Sequence, residues 1–193
     1  MKRHPRVLSI QIGQVRPMTV RGKRFMTAIS KRPITHRVEV GPLGLEGDEQ
    51  ADRSVHGGLK KAVYAYPSEH YGFWREQVAQ IDPAAKLPHG TMGENLTISG
   101  FLETQAFVGD ELHFEDCVMR VTQPRQPCFK FNAVMKDRLA GKKMAQTGFS
   151  GFYLSVVTEG SIAAGERFRL VPGARETSIS SLSAVSKLKT RND

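Results

Sequence analysis

The stretch Gly109-Asp110-Glu111-Leu112-His113-Phe114 decides the fold class, because its pattern returns at Gly165-Glu166-Arg167-Phe168-Arg169-Leu170. Both copies consist of glycine, an acid, and then polar and apolar residues in alternation. Glycine permits a tight turn, and the alternation that follows places every second side chain on the same face of a strand. The two copies therefore predict short, half-buried strands that follow tight turns.

Similar short runs recur along the whole chain between Gly and Pro residues. Many short alternating strands of this kind are typical of a barrel or a sandwich, and the expected fold class is mostly β with a few helices. Outside the two copies, the predicted strands are Val7 to Ile12, Phe25 to Ile29, His36 to Val40, Val63 to Tyr66, Asn95 to Ile98, Val118 to Thr122 and Tyr153 to Val157.

Helical patterns are fewer. One begins at Ser68 after Pro67, with Tyr71, Trp74, Val78 and Ile81 at helical spacing, which indicates core packing. His70 on that helix and His89 are expected at the surface. A second helix is predicted from Phe129 to Ala140, ended by Gly141. The length favours a single domain at residues 1–172, and residues 173–193 are interpreted as a Ser- and Lys-rich tail with at most one marginal helix.

The charge of the chain is concentrated at its start. The net charge is +9, and residues 1–37 hold ten Lys or Arg and no acid. This concentration fits a basic wall beside an anionic ligand, or strand edges whose cations oppose edge pairing. Nucleic-acid binding is disfavoured, because Phe25 is the only aromatic residue there that could stack on a base.

No apolar run has the length of a membrane span or a signal peptide, and the expected location is the cytoplasm.

The candidate for chemistry is Cys128, in Gln123-Pro124-Arg125-Gln126-Pro127-Cys128-Phe129-Lys130. The prolines hold the backbone extended, and Cys128 is expected at the start of the second helix. A helix start and nearby Arg125 favour thiolate over thiol, so this sulfur suits a nucleophile or a soft-metal ligand. Cys117 begins the β-like run Cys117 to Thr122 and is expected to be a buried core residue.

Two further segments contain glycines beside polar groups. In residues 47–61, Gly57 and Gly58 accompany Arg53, His56 and two lysines, which is consistent with an anion-binding loop or with an ordinary turn. In residues 90–97, two glycines precede Glu94 and Asn95 at a strand start. That arrangement fits a pocket wall or a simple glycine hairpin.

The segments together resemble the MOSC domain, named for the C-terminal domain of molybdenum cofactor sulfurases, and most closely the stand-alone bacterial proteins of the YiiM type. The family fold is a strongly bent β-barrel with a few helices. The matching stretches are EGDEQADRSVHGGLKKAVYAYPSEHYGFW (46–74), GTMGENLTISG (90–100), VGDELHF (108–114), TQPRQPCFKF (122–131) and TGFSGFYLSVVTEGSIAAGERFRL (147–170).

The resemblance implies a site for the molybdenum cofactor, with Cys128 as the molybdenum ligand or as a carrier of transferable sulfur. In such a site, Glu94 is expected to serve as a proton donor near the metal, because a carboxyl group in a pocket can have a raised pKa. The implied cofactor or anion contacts are Arg53, His56, Gly57, Gly58, Asn95 and Arg125.

The activity that the resemblance implies is the reduction of N-hydroxylated compounds such as hydroxylaminopurines, which makes the chain a molybdenum-dependent oxidoreductase. The sequence has neither iron–sulfur cysteines nor a Rossmann fingerprint, so a separate reductase is expected to supply electrons. The main alternative is a sulfurtransferase with a Cys128 persulfide, and a third possibility is a non-catalytic cofactor carrier. The C-terminal three-helix bundle usual in the YiiM type is not expected after Pro172, and neither is pyridoxal phosphate.

Overall fold

The computed structural model describes residues 4–53 and 57–189, and these form thirteen strands and four helices. The strands are β1 (Arg6–Ile12), β2 (Arg16–Val20), β3 (Lys23–Thr27), β4 (Arg32–Ile34), β5 (Val38–Gly41), β6 (Gly44–Leu45), β7 (Val63–Pro67), β8 (Leu96–Ser99), β9 (Glu111–His113), β10 (Val118–Pro124), β11 (Phe152–Thr158), β12 (Gly160–Ile162) and β13 (Arg169–Val171). The helices are α1 (Tyr71–Ala79), α2 (Phe129–Val134), α3 (Ala140–Thr147) and α4 (Ile179–Lys189), with 3₁₀ turns at Leu59–Lys61 and Ser68–His70.

Eight strands form one large sheet in the order β13-β9-β10-β11-β7-β8-β1-β4. All neighbours are antiparallel except β7 and β8, which are parallel because α1 lies in the connection between them. Two smaller sheets, β12-β5-β6 and the hairpin β2-β3, complete the architecture. The predicted mostly-β class with a few helices is confirmed.

The large sheet is strongly irregular but does not close into a barrel among the described residues. Register shifts interrupt β1 between Val7 and Ser9, and β10 between Val121 and Gln123, and such bulges bend a sheet. Its outermost strands are β13 and β4. An isolated bridge between Arg6 and Arg167 links the start of β1 to the residues before β13 without continuing as a ladder.

Two apolar clusters hold the chain together. The larger lies within the sheets and includes Val7, Ile10, Leu112 and Phe152. The smaller joins α1, α2 and α3 to β7 through Trp74, Phe131 and Met144, and Trp74 donates a hydrogen bond to the Tyr66 hydroxyl at 2.6 Å. Because the second cluster packs against the strand that carries Tyr64 and Tyr66, it fixes the position of α2 relative to the sheet.

The predicted helix Phe129 to Ala140 is wrong, since this segment forms two helices. α2 ends at Val134, and Lys136 adopts a left-handed conformation with φ 51°. The Asp137 side chain then accepts a hydrogen bond from the Leu139 N–H at 2.8 Å, just before α3 begins. Gly141, expected to end the helix, lies inside α3, because the Asn132 amide oxygen accepts its N–H at 2.7 Å.

His70 also differs from its prediction as a surface residue. It is buried, stacks on Phe149 at 3.9 Å between ring centroids, and lies 2.7 Å from Glu103.

The predicted apolar stripe on α1 is confirmed at Tyr71 and Trp74, which are fully buried, whereas Ile81 lies beyond the helix and is half exposed.

The C-terminal residues contribute one helix, α4, whose first residue Ile179 is fully buried in the main core. The division of the chain at residue 172 stays a prediction. Among the described residues, no helix has both the length and the apolarity needed to cross a bilayer.

Candidate functional site

A cleft opens between the N-terminal part of the chain and the segment that contains Cys128. Its enclosed volume is about 100 Å³. Because β10 ends at Pro124, the chain leaves the large sheet at this point and turns into α2 along the cleft. The lining residues are Thr27, Ala28, Ile29, Lys31, Asp48, Glu49, Gln50, Ala51, Asp52, Lys61, Ala62, Tyr64, Gly93, Asn95, Arg125, Gln126, Cys128, Lys130 and Tyr153.

Cys128 lies at the start of α2, as the sequence predicted. Its backbone is extended, with φ −123° and ψ 171°, and its carbonyl oxygen accepts the Phe131 N–H at 2.9 Å. The residue is half-buried and lines the cleft.

Arg125 is the most unusual group in the cleft, because its side chain is buried without an acidic partner. The residue is 6 % exposed, and within the described residues it forms no ion pair with a carboxylate. Its guanidinium carbon lies 4.8 Å from the centre of the Phe131 ring and 5.4 Å from that of Tyr64, and Nη1 donates to Met144 Sδ at 3.2 Å. Aromatic faces partly compensate a buried cation, but they do not neutralise it.

The charge of Arg125 is maintained by the electron-rich groups around it. Burial lowers the pKa of the guanidinium, yet Tyr64, Tyr153 and Cys128 raise it more, and the net change is upward. Conversely, burial raises the pKa values of Tyr64 and Tyr153, and Arg125 opposes both changes. This end of the cleft thus holds a permanent positive charge beside a thiol and two neutral phenols.

The opposite wall contains a second buried cation, Lys31, which is fully partnered. Its Nζ lies 2.5 Å from Asp48 Oδ1. Asp48 also accepts hydrogen bonds from the Gly13 N–H at 2.7 Å and from Asn95 Nδ2 at 2.8 Å. Burial lowers the pKa of Lys31, and Asp48 opposes that change. Lys31 therefore has the carboxylate partner that Arg125 lacks among the described residues.

Asn95 lines the cleft, and its amide connects three strands. Its side-chain oxygen accepts the Tyr64 N–H at 3.0 Å, and its Nδ2 donates to the Gln11 carbonyl at 3.2 Å in addition to Asp48. These bonds fix the start of β8 against β7 and β1. A direct contact from Asn95 to a cofactor stays a prediction.

Glu94 lies behind the cleft wall, outside the lining residues. It is fully buried, and its Oε1 accepts hydrogen bonds from Tyr71 Oη at 2.5 Å, from the Gly90 N–H at 2.8 Å and from Thr97 Oγ1 at 2.8 Å. Its Oε2 has no partner among the described residues. Glu94 raises the pKa of Lys31 by its charge, so it can influence the cleft through that lysine. The role of proton donor stays a prediction.

In the loop that contains Gly57 and Gly58, the structure shows the surroundings of the two glycines. Gly58 has φ 83°, and its N–H donates to Gln50 Oε1 at 2.8 Å. A Cβ at Gly57 would lie 2.3 Å from the same oxygen, so a larger residue there would displace the Gln50 side chain. Arg53 is exposed and outside the lining, and His56 lies outside the described residues. Their predicted contacts with an anion stay predictions.

Sequence reasoning missed Lys31, Asp48, Tyr64 and Tyr153. Lys31 was hidden among ten basic residues of the N-terminal stretch, and both tyrosines occupy runs that were interpreted only as strands. The ion pair joins residues 17 positions apart and therefore has no local signal. Within the described ranges, no group of three or more His, Cys, Asp and Glu side chains is arranged to hold a metal ion.

The sequence and the fold match those of a known family. The family model of the MOSC domain matches residues 52–169, and the chain belongs to the MOSC domain family. Protein YiiM of Escherichia coli is 32% identical over 159 residues, which cover 82% of this chain and 70% of that protein. YflK of Bacillus subtilis is 38% identical over 165 residues, covering 86% of this chain and 72% of that protein.

Solved structures support the same assignment to the YiiM type. The crystal structure of YiiM from Geobacillus stearothermophilus superposes with a TM-score of 0.76 at 32% identity, over 96% of this chain and 85% of that chain. A fungal protein named "Reductase", from Gibberella moniliformis, is 32% identical over 167 residues, which cover 86% of this chain but only 29% of that protein.

Proposed function

We propose that this protein binds the molybdenum cofactor through Cys128 and reduces N-hydroxylated compounds, such as hydroxylaminopurines, with electrons from a separate reductase. The observation that carries the proposal is the pair formed by Cys128 and Arg125. Arg125 is a buried cation without a carboxylate partner among the described residues, and it lies in the same cleft as an accessible thiol. A buried charge of this kind is costly unless an anion compensates it.

The residues of the cleft suit the proposed cofactor. A thiolate is a soft ligand of the kind that soft or high-valent metals accept, and Arg125 provides the charge that keeps such a sulfur ionised. Lys61 and Lys130 add positive charge along the lining. The enclosed 100 Å³ is small beside the roughly 300–1,000 Å³ of typical ligand pockets, so it accommodates a metal centre or a small oxyanion, and a longer ligand would extend through the open side.

When bound, the cofactor would supply two-electron chemistry at the N–O bond of the substrate. The overall reaction takes two electrons from the donor and two protons from solvent, breaks the N–O bond, forms an N–H bond, and releases the oxygen as water. Arg125 would hold the anionic charge of the site, while Tyr64 and Tyr153 exclude water around it.

The similarity to YiiM and to the fungal protein named "Reductase" supports an oxidoreductase. The two cysteines of the chain are too few to ligate an iron–sulfur cluster, which is why the proposal includes an external electron donor. A cytoplasmic location is part of the same proposal.

The direct test is turnover. Protein produced together with active cofactor biosynthesis is assayed with 6-hydroxylaminopurine and dithionite-reduced methyl viologen, and the amino product is quantified by chromatography. Wild type is expected to turn over and Cys128→Ala to fall to background, with unchanged far-ultraviolet circular dichroism. Full activity in Cys128→Ala would remove Cys128 from the mechanism.

A second candidate function uses the same sulfur. Because Cys128 is half-buried and lines an open cleft, it also suits a persulfide that is handed to a metal or cofactor acceptor. Cyanide releases such a sulfur as thiocyanate. Stoichiometric thiocyanate from the wild type, together with absence of N-reduction, would favour the sulfur carrier.

A further inference from the structure

A second groove lies beside the cleft, between the β2-β3 hairpin and the segment from α2 to α3. Its volume is about 620 Å³. Two aromatic rings, Phe25 and Phe129, lie at its base with their centroids 4.8 Å apart. We call it the basic groove, because four of its lining residues are cations: Arg21, Lys23, Lys136 and Arg138.

The cations of the basic groove have no acidic partners. All four are exposed, and none of them forms an ion pair within the described residues. The only acid among the groove's lining residues is Asp137, which is bonded to Lys143 at 2.8 Å. Residues 1–37, which supply the hairpin, contain no acid at all. The groove therefore presents an uncompensated positive surface.

Exposed apolar groups lie among these charges. Phe129, which lines the groove beside Phe25, is 46 % exposed. The hairpin is held to α2 by the Phe25–Phe129 contact and by Lys130 Nζ, which donates to the Met26 carbonyl at 3.0 Å. An apolar centre surrounded by charges of one sign is the anatomy of a protein-docking surface, in which charge guides the encounter.

The basic groove and the cleft share two chain segments. Phe129 lines the groove, and the preceding residue Cys128 lines the cleft. On the other side, Phe25 lines the groove and Thr27 lines the cleft, a separation of about 7 Å along a strand. A protein docked in the groove is thus brought directly beside the proposed metal site.

We infer that the basic groove docks the electron donor, and that this donor is a small acidic electron-transfer protein. The inference rests on the proposed function, since the cleft must be a redox site for the docked protein to reduce it. The donor gives up two electrons and is oxidised, and these electrons reduce the N–O bond as described above. Electron-transfer encounters use small interfaces and strong electrostatic steering, and the uncompensated positive charge of this groove suits such steering.

The test uses an acidic flavodoxin as the probe and two matched double variants of the full chain. Lys23→Glu/Arg138→Glu reverses two charges in the basic groove. The control, Arg167→Glu/Arg169→Glu, reverses two exposed arginines that line a different groove, at the β13 edge of the large sheet. Neither pair belongs to the Cys128 cleft.

Binding is measured first, by titration calorimetry with oxidised flavodoxin at low and at moderate salt. The wild type and the control are expected to bind, and their binding should weaken with salt. The groove variant should bind at least about tenfold more weakly at low salt. Absence of wild-type binding at low salt, or equal losses in both variants, would overturn the inference.

Turnover then separates docking from chemistry. With reduced flavodoxin the groove variant should show a KM raised by at least about tenfold, whereas with reduced methyl viologen its rate should match the wild type. Equal losses with both donors would contradict docking while leaving the proposed function standing. Flavodoxin binding with no turnover from either donor would retain the docking surface and reject the proposed function.

The groove also has the charge expected of a nucleic-acid surface, and the same variants decide between the two. A single-stranded DNA 20-mer is titrated under the same conditions. DNA binding tighter than flavodoxin binding, and lost in the groove variant alone, would assign the groove to nucleic acid and overturn the inference.

Discussion

The two cysteines of this chain occupy contrasting regions. Cys117 is 1 % exposed in the main core, and burial raises the pKa of its thiol to about 12, with Glu166 and Asp116 adding to the increase. Cys128 is half-buried in a cleft beside the buried cation Arg125. The first region stabilises a neutral thiol, and the second places a thiol beside a permanent positive charge.

The surroundings of a cysteine, and not the residue type, determine whether it is suited to chemistry. Acids and apolar side chains around Cys117 make it behave as a small hydrophobic residue. Arg125, a cation without an acidic partner among the described residues, makes the region of Cys128 favourable for a thiolate or another anion. The account therefore depends on Arg125 as much as on the sulfur.

The comparison between the two buried cations of the cleft gives the largest expected effect. Lys31→Met removes the partner of Asp48 and leaves a carboxylate buried without its cation. We expect it to lower the free energy of unfolding by about 3–5 kcal/mol, the usual cost of breaking a buried pair. Urea unfolding of the cofactor-free chain measures the change, and a loss below about 1 kcal/mol would show that the ion pair is not effectively buried.

Arg125→Met is the matched counterpart, with an opposite expectation. It removes a buried charge that has no carboxylate partner, while a side chain of similar volume keeps the contacts with Tyr64 and Phe131. We expect the stability of the cofactor-free chain to stay the same or to rise. Retention of an anionic ligand should fall by about 1.5–3 kcal/mol, or roughly 10- to 150-fold. Destabilisation as large as that of Lys31→Met would mean that Arg125 is structural.

The sulfur of Cys128 should also react faster than that of Cys117. Under native conditions at pH 8, iodoacetamide is expected to alkylate Cys128 on the order of a hundredfold faster than Cys117, because only Cys128 is accessible beside a cation. Peptide mass spectrometry over time gives both rates in one sample. In urea the two alkylation rates should converge. Similar rates for Cys117 and Cys128 in the native protein would contradict the difference between their surroundings.

The smallest expected effect concerns stability at alkaline pH. The pKa of Cys117 is about 12 in the folded protein against an ordinary value of 9.0, so the folded state holds this proton more tightly. The stabilisation is complete below about pH 9 and is lost as the pH rises toward 12. Wild type should lose up to about 1.4 kcal/mol per pH unit more than Cys117→Val above pH 9.

The pH series needs only urea unfolding of the two proteins in reducing buffer at pH 8, 9 and 10. Tyrosine ionisation affects both proteins alike, so the difference between their curves isolates Cys117. Parallel curves would show that this thiol titrates as it does in the unfolded chain.

The strands were largely predictable from local sequence. The alternating runs that begin at Glu111 and Val118 form β9 and β10, and the turn before each strand is marked by glycine or a polar residue. Four strands were missed: Arg16–Val20, Arg32–Ile34, Gly44–Leu45 and Gly160–Ile162. Three of them have only two or three residues, which carry no usable alternation. The break between α2 and α3 was missed because left-handed Lys136 has no sequence signature of its own.

The site was only partly predictable, for a similar reason. Cys128 and Arg125 lie within one short proline-rich segment, and their types alone pointed to chemistry. Lys31 and Asp48 meet through tertiary packing, so no spacing in the sequence indicated their contact. Glu94 was singled out by its neighbours Gly93 and Asn95, yet the fold places it behind the cleft wall, where Tyr71 and Thr97 bind it.

The central claim is that Cys128, and not Cys117, holds a metal-bearing cofactor. Elemental analysis for molybdenum tests it on wild type, Cys128→Ala and Cys117→Ala, each produced with active cofactor biosynthesis. The account predicts stoichiometric molybdenum in wild type and Cys117→Ala, and background levels in Cys128→Ala. Molybdenum retained in Cys128→Ala, or absent from all three while labile sulfur is found on Cys128, would contradict it.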